Sequence, residues 1–259
     1  MKLRVATTLR YRFGGPTQTI GLIQAAKSPD QTIIAESLSC KPNASLKCEG
    51  QADGTRSFRA SFDGEVAISY SATIDNGQRQ LLPSHGTQHL WSDLPLDVLP
   101  YLLPSRFCPS DRFQRFAQRE FARAGDGVAR VMSILDWVHD HIDYVAGTSN
   151  AETTAAETFM TRAGVCRDFT HLTISLCRAL SIPARAVSAY AFALQPPDFH
   201  AVAEVYLEGA WWLVDATRLA PVEGMVRIAH GRDAADIAFL TTDQACQVES
   251  QTIDVSELT

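Results

Sequence analysis

The chain has 259 residues, 46% hydrophobic and 20% charged, with a formal net charge of −6 and a pI near 5.6. That length allows one large domain or two modest ones around a sizeable core, and the composition excludes a disordered or fibrous chain. The acidic balance and the scatter of the basic residues give no general attraction to nucleic acid or anionic membranes.

The first residues, Met1 to Thr8, hold no apolar run of signal-peptide length, and no stretch reaches a membrane-spanning length. A cytoplasmic location is the expectation. Lys2–Phe13, Thr17–Ala26, Gln31–Leu38, Arg56–Phe62 and Glu65–Ile74 are β-prone or alternating. Gly14-Gly15-Pro16, Pro29-Asp30, Asp53-Gly54 and Asp63-Gly64 separate them. These runs predict an antiparallel β-sandwich over residues 1–93. Residues 94–110 carry Pro95, Pro100, Pro104 and Pro109 and read as an ordered connector.

From residue 111 the period becomes helical. Phe113, Phe116, Ala117 and Phe121 form one stripe, and Val128, Val131, Met132, Leu135 and Val138 form another. Thr154-x-x-Glu157 is a capping-box pattern that starts a short helix. After Cys166, the residues Phe169, Leu172, Leu176 and Leu180 recur at helical spacing, and Ile174 and Cys177 widen the stripe. This predicts a helix buried on most sides that ends near Ala179 to Ser181, ahead of Pro183. Phe199–Leu207 and Ala210–Thr217 then flank Glu208-Gly209, a two-residue hairpin turn. The chain is α+β, with residues 111–259 expected as the second unit.

Cys166 falls on the first turn of its helix, where free backbone N–H groups and the helix dipole favour a thiolate. Such placement lowers a thiol pKa from about 8.5. Gly164 permits a tight turn into the helix, and Asp168 suits a helix start as well as it suits catalysis. With Glu208-Gly209 as the turn, Leu207 opposes Ala210, Val202 opposes Asp215 and His200 opposes Thr217. His200 and Asp215 then share a sheet face as diagonal neighbours. A thiol, an imidazole and a carboxylate in this order are the parts of an activated cysteine nucleophile.

Other candidates have plainer readings. Cys177 reads as core filler, and Cys40, Cys48, Cys108 and Cys246 have no acid–base partner nearby in sequence. His171 lies five residues after Cys166 on one helix and points away from the thiol. His139 and His141 do not face each other on a helix, which disfavours a shared metal. Glu204 is expected in an ion pair with Arg185 or Arg218. Trp211 and Trp212 read as core or cleft-wall aromatics, with Trp211 on the face of Asp215 and so a possible border of the site. Tyr144 is a possible site-lining hydroxyl. No CxxC pair, no GxGxxG after a strand and no phosphate-loop motif occurs, so no metal, nucleotide or flavin cofactor is expected.

Gly164-Val165-Cys166-Arg167-Asp168-Phe169, Ile182-Pro183-Ala184-Arg185, His200-Ala201 and Trp212-Leu213-Val214-Asp215-Ala216-Thr217 together resemble the bacterial transglutaminase-like superfamily. Gly231-Arg232-Asp233-Ala234-Ala235-Asp236 looks like a further segment of such proteins. The likeness spans roughly residues 99–242, and the β-rich N-terminal part resembles the region that precedes many of these cores. The resemblance implies a papain-like core with a Cys–His–Asp triad at Cys166, His200 and Asp215. Arylamine acetyltransferases share the triad order, but their cysteine neighbourhood reads differently. The activity expected is hydrolysis of a peptide or amide through a thioester, on a peptide or protein substrate. Acyl transfer to an amine is the alternative, and a catalytically idle binding module the third reading.

Overall fold

The computed structural model describes residues 1–258. Its N-terminal part is antiparallel, as the alternation predicts, with strands β1 (Lys2–Gly21), β2 (Thr32–Lys41), β3 (Lys47–Gly50) and β4 (Arg56–Asp75). One face of β1 and β4 buries Leu3, Val5, Leu9, Phe58, Ile68 and Ile74 almost completely. Two pairs of expected strands are continuous here. Phe13 opposes Gly64 and Thr17 opposes Phe62, so Gly14-Gly15-Pro16 faces Asp63 alone. The Gly-Gly-Pro run is therefore a bulge that bends the ladder, not a turn that ends it. Gly64, at φ +66°, takes the left-handed conformation this bend requires. The long strands serve both halves of the region, and its strands are hydrogen-bonded into one sheet.

The second unit begins with α1 (Gln114–Phe121) and α2 (Val128–His141), followed by β5 (Asp143–Tyr144), α3 (Ala155–Thr161) and β6 (Ala163–Gly164). The Thr154–Glu157 capping box is formed, with Thr154 N donating to Glu157 Oε2 at 2.6 Å. Helix α4 (Cys166–Ala179) is the centre of the unit; Leu172, Ile174, Leu176 and Cys177 have no solvent exposure. It packs against an antiparallel sheet of β7 (Ala184–Ala191), β8 (Phe199–Leu207), β9 (Ala210–Val214) and β10 (Met225–Gly231), in the order β10-β7-β8-β9.

Arg178, in the last turn of α4, holds this packing through neutral partners. Its Nε donates to Ala184 O at 2.9 Å, and its terminal nitrogens reach Leu103 O, Ser105 Oγ and Arg232 O. The Gly231–Asp236 segment closes the other side of α4. Asp233 accepts from Phe107 N at 2.9 Å, and Ala234 N donates to His171 Nε2 at 3.1 Å. A Cβ on Gly231 would lie 2.2 Å from the Cβ of Asp236, so that approach requires glycine.

The chain then returns to its beginning. β11 (Leu240–Thr242) and β12 (Cys246–Glu257) pair with the free edge of β1, from Leu3 opposite Glu257 to Phe13 opposite Cys246. Residues 240–257, expected within the second unit, thus build the N-terminal sheet. Their sequence is rich in Ser, Thr, Gln and acidic residues, and β12 buries only Ile253 below a tenth exposure, so no apolar alternation marks it as a strand.

Candidate active site

Cys166 is the first residue of α4 and is partly exposed. Asp168 folds back across the helix start and accepts from Val165 N at 2.8 Å, with its carboxylate fully buried. A Cβ on Gly164 would stand 2.6 Å from the Cβ of Asp168. The Gly-x-Cys-x-Asp spacing thus has a steric cause: Asp168 shapes the turn that presents the thiol, and Gly164 makes room for Asp168.

The hairpin has the expected register. Leu207 opposes Ala210 and Ala203 opposes Val214, with Glu208 at φ +52° and Gly209 at φ +78° in the turn. Positive φ at both central residues matches the right-handed strand twist. One step further along, His200 Nε2 lies 2.9 Å from Asp215 Oδ2, with both side chains buried. A carboxylate only accepts, so Nε2 carries the proton. The other ring nitrogen, Nδ1, is buried without a close partner, and the neighbouring group able to supply one is the Cys166 thiol. Burial pushes the His200 pKa down, but the bond to Asp215, with the neighbouring Cys166 adding to it, more than offsets this and raises the value to about 9.

Thr217 is the residue that sequence reasoning left without a role. Its Oγ1 lies 2.8 and 2.9 Å from the two oxygens of Asp215, and its N–H donates to Oδ1 at 2.9 Å. Leu219 N donates into the same hydroxyl at 3.2 Å, which leaves the hydroxyl proton for Asp215. The Asp-x-Thr spacing, a pattern that closes local side-chain-to-backbone turns, was the available signal.

Tyr144 lies beside the thiol because β5 and β6 pair in parallel, placing Tyr144 opposite Gly164. Its ring is 5.8 Å from that of Phe169. Burial, then the nearby Cys166, push its pKa up to about 12. Trp211 is elsewhere. It stands four residues before Asp215 on the hairpin, about 13 Å at strand rise, and packs on Tyr101, Tyr206 and Arg185. Glu204 does pair with Arg185, at 2.6 Å, and its second partner is Arg227 rather than Arg218, which pairs with Asp136. His171 stacks on Phe107 in the core, and burial drives its pKa down to about 4. His139 meets Ala216 O, next to Asp215, at 3.2 Å.

Residues 114–216 match the model of the transglutaminase-like superfamily, and residues 1–85 match the bacterial transglutaminase N-terminal domain. The crystal structure of a candidate cysteine protease from Cytophaga hutchinsonii is 38% identical, with a TM-score of 0.93, over 100% of this chain and 91% of that one. The chain belongs to the transglutaminase-like superfamily. An uncharacterised protein of Mycobacterium leprae is 27% identical over 151 residues, which is 54% of this chain and 53% of that one. One from Mycobacterium tuberculosis is 26% identical over 162 residues, 57% of this chain and 52% of that one. The chain spans about half the length of these curated relatives. For a transglutaminase-like protein, the N-terminal sheet and the α4–β8 core are thus the expected two parts.

Proposed function

We propose that this protein is a cysteine-dependent acyl-transfer enzyme that hydrolyses peptide or amide bonds. The observation that carries the reading is the orientation of His200: Nε2 is committed to Asp215 at 2.9 Å, which leaves Nδ1 for the thiol at the head of α4. Cys166 attacks the carbonyl as the thiolate and forms a C–S bond, while the carbonyl electrons move to oxygen. The Cys166 backbone N–H, at the helix start, donates to that oxyanion, and the Tyr144 hydroxyl, on the strand opposite Gly164, acts as the second donor. With its pKa near 12 the phenol keeps its proton and can donate. Collapse of the adduct breaks the C–N bond, and the His200 imidazolium gives its proton to the departing amine. Water, deprotonated by His200, then opens the thioester and restores the thiol. Asp215 holds the ring tautomer and stabilises the imidazolium throughout.

Brief labelling with iodoacetamide at mildly acidic to neutral pH, followed by peptide mapping, tests the nucleophile. Cys166 reacts first in the folded protein. Cys108 and Cys177 are held back because burial pushes their thiols up to about 12. Equal labelling of Cys166 and exposed Cys48 would remove the basis for an activated thiol. On a turned-over amide, product partitioning against added primary amine separates hydrolysis from transfer: water is expected to take most of the acyl group. Dominant amide product at low amine would favour the transglutaminase reading.

A further inference from the structure

We propose that a cavity on the far part of the core sheet binds an organic anion, a carboxylate or phosphate carried on an apolar body. The cavity, about 430 Å³, opens where the 26–30 loop of the N-terminal unit meets β7, β8, β9 and β10. It lies well away from the thiol: Glu204, in its floor, is four residues along β8 from His200, about 13 Å at strand rise.

Its lining carries charges of both signs. Arg185 and Arg227 both bond Glu204 at 2.6 Å, and Arg227 and Arg79 bond Asp30 at 2.5 and 2.9 Å. Arg185 and Arg227 line the cavity together with the carboxylates of Glu204 and Asp30 that they bond. At the rim, Lys27 and Asp53 oppose each other in sign. Burial and then Arg227 lower the pKa of Arg79, and burial and then Arg185 lower that of His230, another lining residue.

The cavity also offers donors fixed in direction. Arg185 is held through Nε by Glu204, and its Cζ lies 4.1 Å from the centre of the Trp211 ring. Among the described residues neither of its terminal nitrogens has a protein hydrogen-bond partner, and the side chain lines the cavity. A guanidinium held this way presents a fork matched to a carboxylate or phosphate. Trp211 and Trp212 supply the apolar wall, the indole N–H of Trp212 being spent on Leu207 O at 2.9 Å. An anion in the fork pairs with the terminal N–H groups of Arg185, and its body lies on the indoles.

The test uses the full chain with ¹⁵N-labelled tryptophan, reading the Trp211 indole N–H signal at constant ionic strength. Phenylacetate, phenylphosphonate and neutral 2-phenylethanol are titrated in turn. A saturable shift is expected with the anions and not with the alcohol, and the tighter anion identifies the group. Arg185→Gln is expected to weaken it about tenfold or more, the effect of losing a charge-assisted hydrogen bond. Arg185→Lys keeps a cation beside Glu204 but lacks the fork, is expected to weaken binding as well, and decides the matter if the Gln variant does not fold. Equal binding of the alcohol, no saturable shift, or undiminished affinity in the folded Arg185 variants would overturn the proposal.

Discussion

Replacing Asp215 by Asn tests the triad through a quantity the structure sets. In the folded chain His200 keeps its proton from its ordinary value of 6.5 up to about 9. That span of about two and a half pH units corresponds to roughly 3 kcal/mol favouring the imidazolium, at about 1.4 kcal/mol per unit. Burial opposes this, and the bond to Asp215 is the largest of the contributions that overcome it. Asn keeps the shape and removes the charge, so burial prevails and the ring is expected to titrate below 6.5. NMR of ¹³C-labelled histidine reads both midpoints directly. Stability follows with a defined sign. A raised folded pKa contributes fully below pH 6.5 and is lost as pH rises through about 9. Across that window the wild type should therefore lose up to roughly 3 kcal/mol of unfolding free energy that Asp215→Asn never had. Turnover by the variant should fall severely, though less than for Cys166→Ala or His200→Ala. A wild-type midpoint at or below 6.5, or the same midpoint in both proteins, would refute the assigned geometry.

Thr217→Val removes the hydroxyl that holds both oxygens of Asp215, and kcat should drop about 10- to 100-fold, the kinetic equivalent of a charge-assisted hydrogen bond. Thr217→Ser should restore most of it, and the His200 midpoint should move down in the Val variant alone; a Val variant with unaltered midpoint would make Thr217 merely a packing residue. Gly164→Ala forces a methyl group against Asp168 and should cost about 1–3 kcal/mol in urea unfolding, with slower alkylation of Cys166. Wild-type stability in that variant would mean the Asp168 turn is loose.

The parts of the site that were legible in the sequence are those fixed by local rules. The parity of β8 and β9 follows from a two-residue turn, so His200 and Asp215 could be placed on one face from spacing alone. Helix α4 was readable because its apolar stripe starts at Phe169, within one turn of Cys166, the first helical residue. Long-range placement was not readable. Trp211 has the same parity as Asp215, but parity gives a face and not a distance along it. Tyr144 approaches Cys166 through a two-residue parallel ladder too short to leave a pattern. The second partner of Glu204 comes from β10, which enters the sheet beside β7, and no spacing reports that order.

The least legible element, β12, also explains why the two units cannot be treated as separable. Its whole backbone ladder is made with β1, and the edge it covers is otherwise an open row of peptide groups. From that sheet Gln251 donates to Asp198, whose other bond is to Phe199 N, immediately before His200. The strand carrying the imidazole is therefore entered through a turn tied to the N-terminal sheet. Asn76, just past β4, donates to Met225 O at 2.8 Å, and Tyr190 on β7 donates to Ile23 O at 2.6 Å. Cutting the chain in the 94–110 connector would remove β1, leave β11 and β12 without a ladder, and strip buried partners from β7 and β10. The N-terminal sheet thus acts on the candidate site through the frame that holds β8 in place, even though Cys166, His200 and Asp215 all lie outside it.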